Sequence, residues 1–166
     1  MEKVSTAGYL VLGLIDRLGE ATPYDVKQAA QHTNAFFALP HTQIYVQCTR
    51  LVSVGYLDEQ QEEHGRRRRL LTVTPEGQAA LRDWADSGVD TQVEARDVAL
   101  LKLYFEADPE RLARQQLTAH EELLARYEEI AGQAEGLDPG PRRTLRFGLA
   151  FERMQVDFWS GLIADA

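Results

Sequence analysis

The sequence predicts a mainly α chain in two parts, the first of them interrupted by a single β hairpin. Three observations predict it. Apolar residues recur at helical spacing through most of the 166 residues. One stretch only, residues 56–74, carries a strand, a glycine turn and a second strand. Beyond the turn signal Ser87-Gly88, every periodic stretch has the spacing of a helix.

The first helix is expected over residues 6–18. Leu10, Leu14 and Leu18 recur at i, i+4 and i+8; Val11, Leu12 and Ile15 widen that face, and Gly19 follows as a C-terminal glycine. Thr22-Pro23 opens a second helix, threonine as cap and proline in the first turn, running to about residue 32. Residues 33–39 are irregular. Pro40 precedes a third helix over 41–54, which Gly55 ends. Strands over 56–63 and 66–74 flank His64-Gly65, and Thr74-Pro75-Glu76 opens a fourth helix to about residue 86. Helices over 92–105 and 109–134 follow, then a break at 136–141 and a last helix over 142–164. Helix, helix, helix, hairpin, helix is the order of a winged helix-turn-helix with a two-stranded β wing. Residues 1–88 are expected to form that domain and residues 89–166 an all-α dimerisation domain.

Composition narrows the function classes. No apolar run approaches the ~20 residues of a membrane helix, and residues 1–15 lack a small-residue cleavage site, so no membrane role and no secretion are expected. One cysteine, Cys48, excludes an internal disulfide and fits a cytoplasmic protein. The net charge of −8 opposes nucleic acid, but its distribution does not. Residues 1–88 hold nine basic and eleven acidic side chains, whereas residues 89–166 hold nine and fifteen. Four of the first nine are consecutive: Arg66, Arg67, Arg68 and Arg69.

In the third helix, Ile44, Cys48 and Leu51 at i, i+4 and i+7 are expected to face a core. His41, Thr42, Gln43, Gln47 and Arg50 then fall outside the stripe. Short polar groups near a helix N-terminus suit base edges in a major groove, and the free amides there attract phosphate. The bland alternative is a solvated polar face. The hairpin weighs against it. Arg66 to Arg69 exceed what protecting a strand edge requires and suit DNA backbone or minor groove, although Glu59, Glu62 and Glu63 on the opposing strand oppose them.

The residues Pro40-His41-Thr42-Gln43-Ile44-Tyr45, Arg50-Leu51, Gly55-Tyr56-Leu57, Gly65-Arg66, Arg68-Arg69 and Thr72-Val73-Thr74-Pro75-Glu76-Gly77 together resemble the signature of the PadR family of transcriptional regulators. The Ile44-Tyr45 pair is its most telling part. Leu70-Leu71, Cys48 and Pro23-Tyr24-Asp25 depart from the usual pattern. The resemblance implies a winged-helix repressor in which Tyr45 and the start of the third helix meet double-stranded DNA, with Tyr24 and Lys27 contributing from the second helix. It also implies a small, often aromatic effector and dimerisation through the C-terminal helices, to which Arg96-Asp97, Leu100-Leu101-Lys102-Leu103 and Phe105 are similar.

Periodicity alone also points to a dimer. Ala113, Leu117, His120, Leu124, Tyr127, Ala131 and Ala134 alternate spacings of four and three, as do Leu145, Leu149, Glu152, Val156, Trp159 and Ile163. The last helix has a second row, Phe147, Phe151, Met154, Phe158 and Leu162, for which one chain has little surface left. Leu145, Phe147, Leu149, Phe151, Met154, Phe158, Trp159 and Leu162 are therefore the expected homodimer interface, and Phe158 and Trp159 the candidate effector pocket. Trp84 is expected at the hinge between the two parts. The histidines show no metal spacing, and no hydrolase, phosphate-loop or zinc motif occurs, so neither cofactor, metal nor enzymatic activity is expected. The competing reading is a winged-helix protein-interaction module that does not bind DNA. The acidic total favours it and the arginine wing opposes it.

Overall fold

The computed structural model describes residues 4–33, 36–61, 68–89, 97–133 and 136–164. The chain divides into two compact units, Met1–Thr91 and Gln92–Ala166.

The first unit contains α1 (Thr6–Leu18), β1 (Glu20–Ala21), α2 (Pro23–Ala30) with a 3-10 turn at Gln31–Thr33, α3 (His41–Ser53), β2 (Leu57–Gln61), β3 (Arg69–Val73) and α4 (Pro75–Asp86). Side-chain caps fix where its helices start. Ser5 Oγ accepts from the Gly8 amide at 3.2 Å at the head of α1. At α2, Thr22 and Asp25 form a capping box, each side chain bonding the other's amide. The expected two-stranded wing is part of a three-stranded antiparallel sheet of order β1-β3-β2, in which Glu20 faces Thr72 and Ala21 faces Leu71. Two residues are too few to show a period of two, so β1 carried no sequence signal.

Threonine and glycine lock the exit of the sheet. Thr74 Oγ1 donates to the Gly55 carbonyl at 2.8 Å and accepts from the Gly77 amide at 3.0 Å. Gly55 holds the positive φ of 78° that ends α3. A side chain at Gly77 would collide with the Tyr56 carbonyl oxygen. The Thr-x-x-Gly spacing is thus a geometric requirement.

The core of this unit joins Val11, Leu12 and Ile15 of α1 to Val26, Ile44, Cys48, Leu51, Leu57 and Leu71. Trp84 stacks on Tyr9 at 4.9 Å with the rings 9° apart, so it fastens α4 to α1 inside the first unit.

The second unit is α5 (Val98–Tyr104), α6 (Pro109–Gly132) and α7 (Pro139–Ala164). Residues 92–96 of the expected helix lie outside the described residues. The last helix begins three residues before its expected start, because Pro139 and Pro141 occupy a first turn whose amides need no helical partner. Ala99, Leu112, Ala113 and Trp159 form the buried core, with Leu103, Leu117, Leu162 and Ile163 packed against it. His120 Nδ1 lies 2.6 Å from Glu152 Oε2, which joins α6 to α7 through a polar pair inside an otherwise apolar seam.

Candidate nucleic-acid interface

The period of α3 divides its side chains. Ile44, Gln47, Cys48 and Leu51 are buried; His41, Thr42, Gln43, Tyr45, Val46 and Thr49 are exposed, and Arg50 is half-buried. The helix starts after Pro40 with no side-chain cap and no acid in its first turn. The Gln43 amide donates to the Pro40 carbonyl at 2.9 Å, and the positive end of the helix dipole faces an anion without an acidic side chain in the way.

Gln47 is a correction. It was expected to reach outward, yet it is only 6% exposed, and its Oε1 accepts a 3.5 Å hydrogen bond from Ser5 Oγ beneath α1. Gln47 stands at i+3 from Ile44, inside the inward stripe, and its amide finds a partner there. The same wheel reveals two residues missed in sequence. Val46 and Thr49 join Thr42 and Tyr45 at i, i+3, i+4 and i+7 on the outward face. Exposed apolar Val46 suits a thymine methyl.

Beside α3, Tyr24 of α2 is exposed. Its hydroxyl accepts from Gln28 Nε2 at 2.7 Å, and the Lys27 ammonium lies 5.9 Å from its ring centre. Thr22, Pro23, Tyr24, Asp25, Tyr45, Arg68 and Arg69 line one cleft of about 620 Å³. Three separate segments, α2, α3 and the base of the wing, meet in it. Hydrogen bonds from Thr22 hold the Asp25 carboxyl below its ordinary range, and Arg68 adds to that effect.

Of the four wing arginines, Arg66 and Arg67 lie outside the described residues, as do Glu62 and Glu63. Arg68 is exposed. Arg69 is held: Nε and Nη2 donate to the two Glu59 carboxylate oxygens at 2.8 and 2.7 Å, and Nη1 to Thr49 Oγ1 at 3.3 Å. Cys48 is fully buried under this pair, and burial pushes its thiol up to about 11. Its place among Ile44, Leu51 and Leu71 makes it a packing group of the core.

In the second unit, the second apolar row of α7 is open. Phe147 is 59% exposed, Met154 53%, Phe158 42% and Phe151 38%. Leu145, Leu149 and Leu162 are half-buried. Trp159 is the second correction, both as interface and as pocket residue. It is fully buried in its own unit, its indole N–H donates to Gln155 Oε1 at 3.2 Å, and Phe158 packs edge-on against it at 4.9 Å. It shares the row of Glu152, which faces His120 of α6. Among the described residues, no cluster of metal-ligating side chains occurs, and no helix is long and apolar enough to cross a membrane.

A helical core, a polar outward helix beside an arginine-bearing wing and a separate helical unit define a winged helix-turn-helix regulator with a C-terminal helical segment. Residues 11–83 match the model of the transcriptional regulator PadR-like family, and residues 95–164 match the model described as virulence activator alpha C-term. Residues 11–83 thus carry the domain of the PadR-like family of transcriptional regulators. Solved structures agree in fold over nearly the whole length. PadR of Bacillus subtilis in complex with operator DNA has a TM-score of 0.83 at 23% identity, over 96% of this chain and 98% of that one. A PadR-like regulator from Bacillus cereus gives 0.82 at 19%, over 96% and 97%. Bacillus subtilis PadR in complex with p-coumaric acid gives 0.76 at 22%, over 96% and 98%. Comparison with curated proteins gives no match.

Proposed function

We propose that the chain is a homodimeric, sequence-specific repressor that binds a pseudo-palindromic operator through residues 1–88 and dimerises through residues 89–166. The carrying observation is the cleft at which Tyr24, Tyr45 and Arg68 converge beside the uncapped start of α3. His41, Thr42, Gln43, Tyr45 and Val46 enter the major groove. Tyr24, Lys27 and Arg50 stand at its rim, and Arg66, Arg67 and Arg68 follow the flanking backbone or minor groove. Two such helices about 34 Å apart fit successive grooves on one face of a duplex. The open row of Phe147, Phe151, Met154 and Phe158, bordered by Leu145, Leu149 and Leu162, supplies the dimer contact.

The chain acts in the cytoplasm by binding, not by catalysis. A small aromatic effector relieves repression, a reading supported by the p-coumaric acid complex of Bacillus subtilis PadR. Coupling arises because ligand and DNA select among relative orientations of the two protomers. A gel shift with the duplex upstream of the chain's own gene tests the reading. Retardation that outlasts a scrambled competitor and falls steeply with salt is the expected result. Equal retardation of both duplexes would reject sequence-specific regulation.

A further inference from the structure

The two arginines at the described end of the wing do different things. In β3, Arg69 alternates with Leu71 and Val73 on one face of the sheet, and Leu71 is fully buried in the core. That alternation turns Arg69 toward α3. Glu59 faces Leu71 in the β2–β3 register, which sets it diagonal to Arg69 on the same face. The result is a two-toothed guanidinium–carboxylate fork with a third bond to Thr49, and its two charged side chains are 32% and 31% exposed.

We infer that Glu59 and Arg69 form a strut that sets the angle of the wing against α3, with Arg69 a positioning residue and not a phosphate contact. That role rests on the DNA-binding reading above. A planar fork fixes direction as well as distance, which a lysine ammonium does not. Thr49 lies on the outward stripe of α3 with Thr42 and Tyr45. Tying the wing to that stripe fixes the offset between groups bound for the groove and groups bound for the backbone. DNA then meets a surface already in register, and less ordering cost falls on binding. A guanidinium already neutralised by a carboxylate also releases no counterion when the duplex arrives.

The test uses the full-length protein. Its probe is a duplex that the wild type selects from a random pool, with a scrambled duplex of equal composition as reference. Anisotropy titrations run from about 50 to about 300 mM salt. Arg68→Ala should flatten the log–log salt slope by about 0.9 for each phosphate that the variant no longer neutralises. Glu59→Gln and Arg69→Lys should each weaken the selected duplex about three- to fivefold, the size of one partly exposed ion pair, and Arg69→Lys, which keeps the charge beside Glu59, should do so without moving the slope or the affinity for the scrambled duplex. Glu59→Arg combined with Arg69→Glu should restore affinity to within about twofold, since Thr49 can donate to a carboxylate as readily as it accepts. Full affinity in Arg69→Lys, or a slope in Arg69→Ala as flat as in Arg68→Ala, would make Arg69 a phosphate contact and overturn the strut. A wild type that enriches no duplex from the pool would overturn the DNA reading first, and the strut with it. Thermal melts of every variant separate these outcomes from unfolding.

Discussion

The two units solve the burial problem differently. The first closes its core on itself: α1, α3 and the sheet bury Leu12, Ile15, Ile44, Leu51, Leu57 and Leu71 almost completely. What it leaves outside on α3 is mostly polar. Among the described residues of the second unit, Trp159 is the one fully buried large side chain, and four large apolar residues of α7 stand open, together with Leu101 and Tyr104 of α5 and Phe105 at its end. Such a stripe on a helix is costly in water. The difference supports the proposed division of tasks: a closed core with a mostly polar outward helix in one unit, and in the other an open apolar row that suits a second copy.

The sharpest way to break this contrast is to charge the open row. Phe151→Asp removes an apolar side chain whose burial is worth about 1.5–3 kcal/mol, and a symmetric interface feels the change twice. We expect the dimer to dissociate at micromolar concentration with its helix content unchanged, measured by sedimentation equilibrium and circular dichroism. An unaltered mass would place the interface on another face. The converse experiment empties the closed core. Trp159→Ala should destabilise the second unit by about 3–5 kcal/mol, the range for deleting a buried aromatic. Hydrogen exchange should then quicken in α6 and α7 and leave α3 protected. Equal loss of protection in both would mean that they unfold as one.

Much of this contrast was legible in the sequence, and the exceptions have physical reasons. The bounds of α1 and α4 follow from Ser5, Gly19 and Thr74-Pro75, residues whose caps and backbone angles act locally. The two rows of α7 were legible as rows. Their assignment was not, because period alone does not say which row meets α6. The meeting of His120 and Glu152 decides it, and that pairing is a tertiary fact. Trp159 and Phe158 are neighbours in sequence but about 100° apart on the helix, which separates core from surface. Gln47 is polar but its stem sits at a core spacing, and Ser5 Oγ donates to its Oε1 there. In the wing, four consecutive arginines gave charge but no pairing. Once the register sets Glu59 opposite Leu71, the roles of Arg68 and Arg69 part.

The smallest effect sharpens the claim that the first unit is closed. Cys48 lies fully buried on the inward face of the helix whose other face meets solvent, and burial raises its thiol to about 11 against an unfolded value near 8.5. A raised folded pKa means that the native state holds its proton longer than the unfolded chain does. The stability this confers is complete below about pH 8.5 and is lost as pH climbs from there through the folded value, because the unfolded chain gains by ionising first. Wild type should therefore lose about 1 kcal/mol by about pH 9.5 relative to its value at neutral pH. Cys48→Ala, which carries a constant cavity cost and no thiol, should lack that loss, and the two urea-unfolding profiles should converge as pH rises. Window and comparison both matter, since Tyr9 and Tyr127 also titrate above their usual range and add a common slope at higher pH. Parallel profiles would mean that the thiol ionises as freely in the native state as in the unfolded one, and that the core beneath the outward face of α3 is open to water.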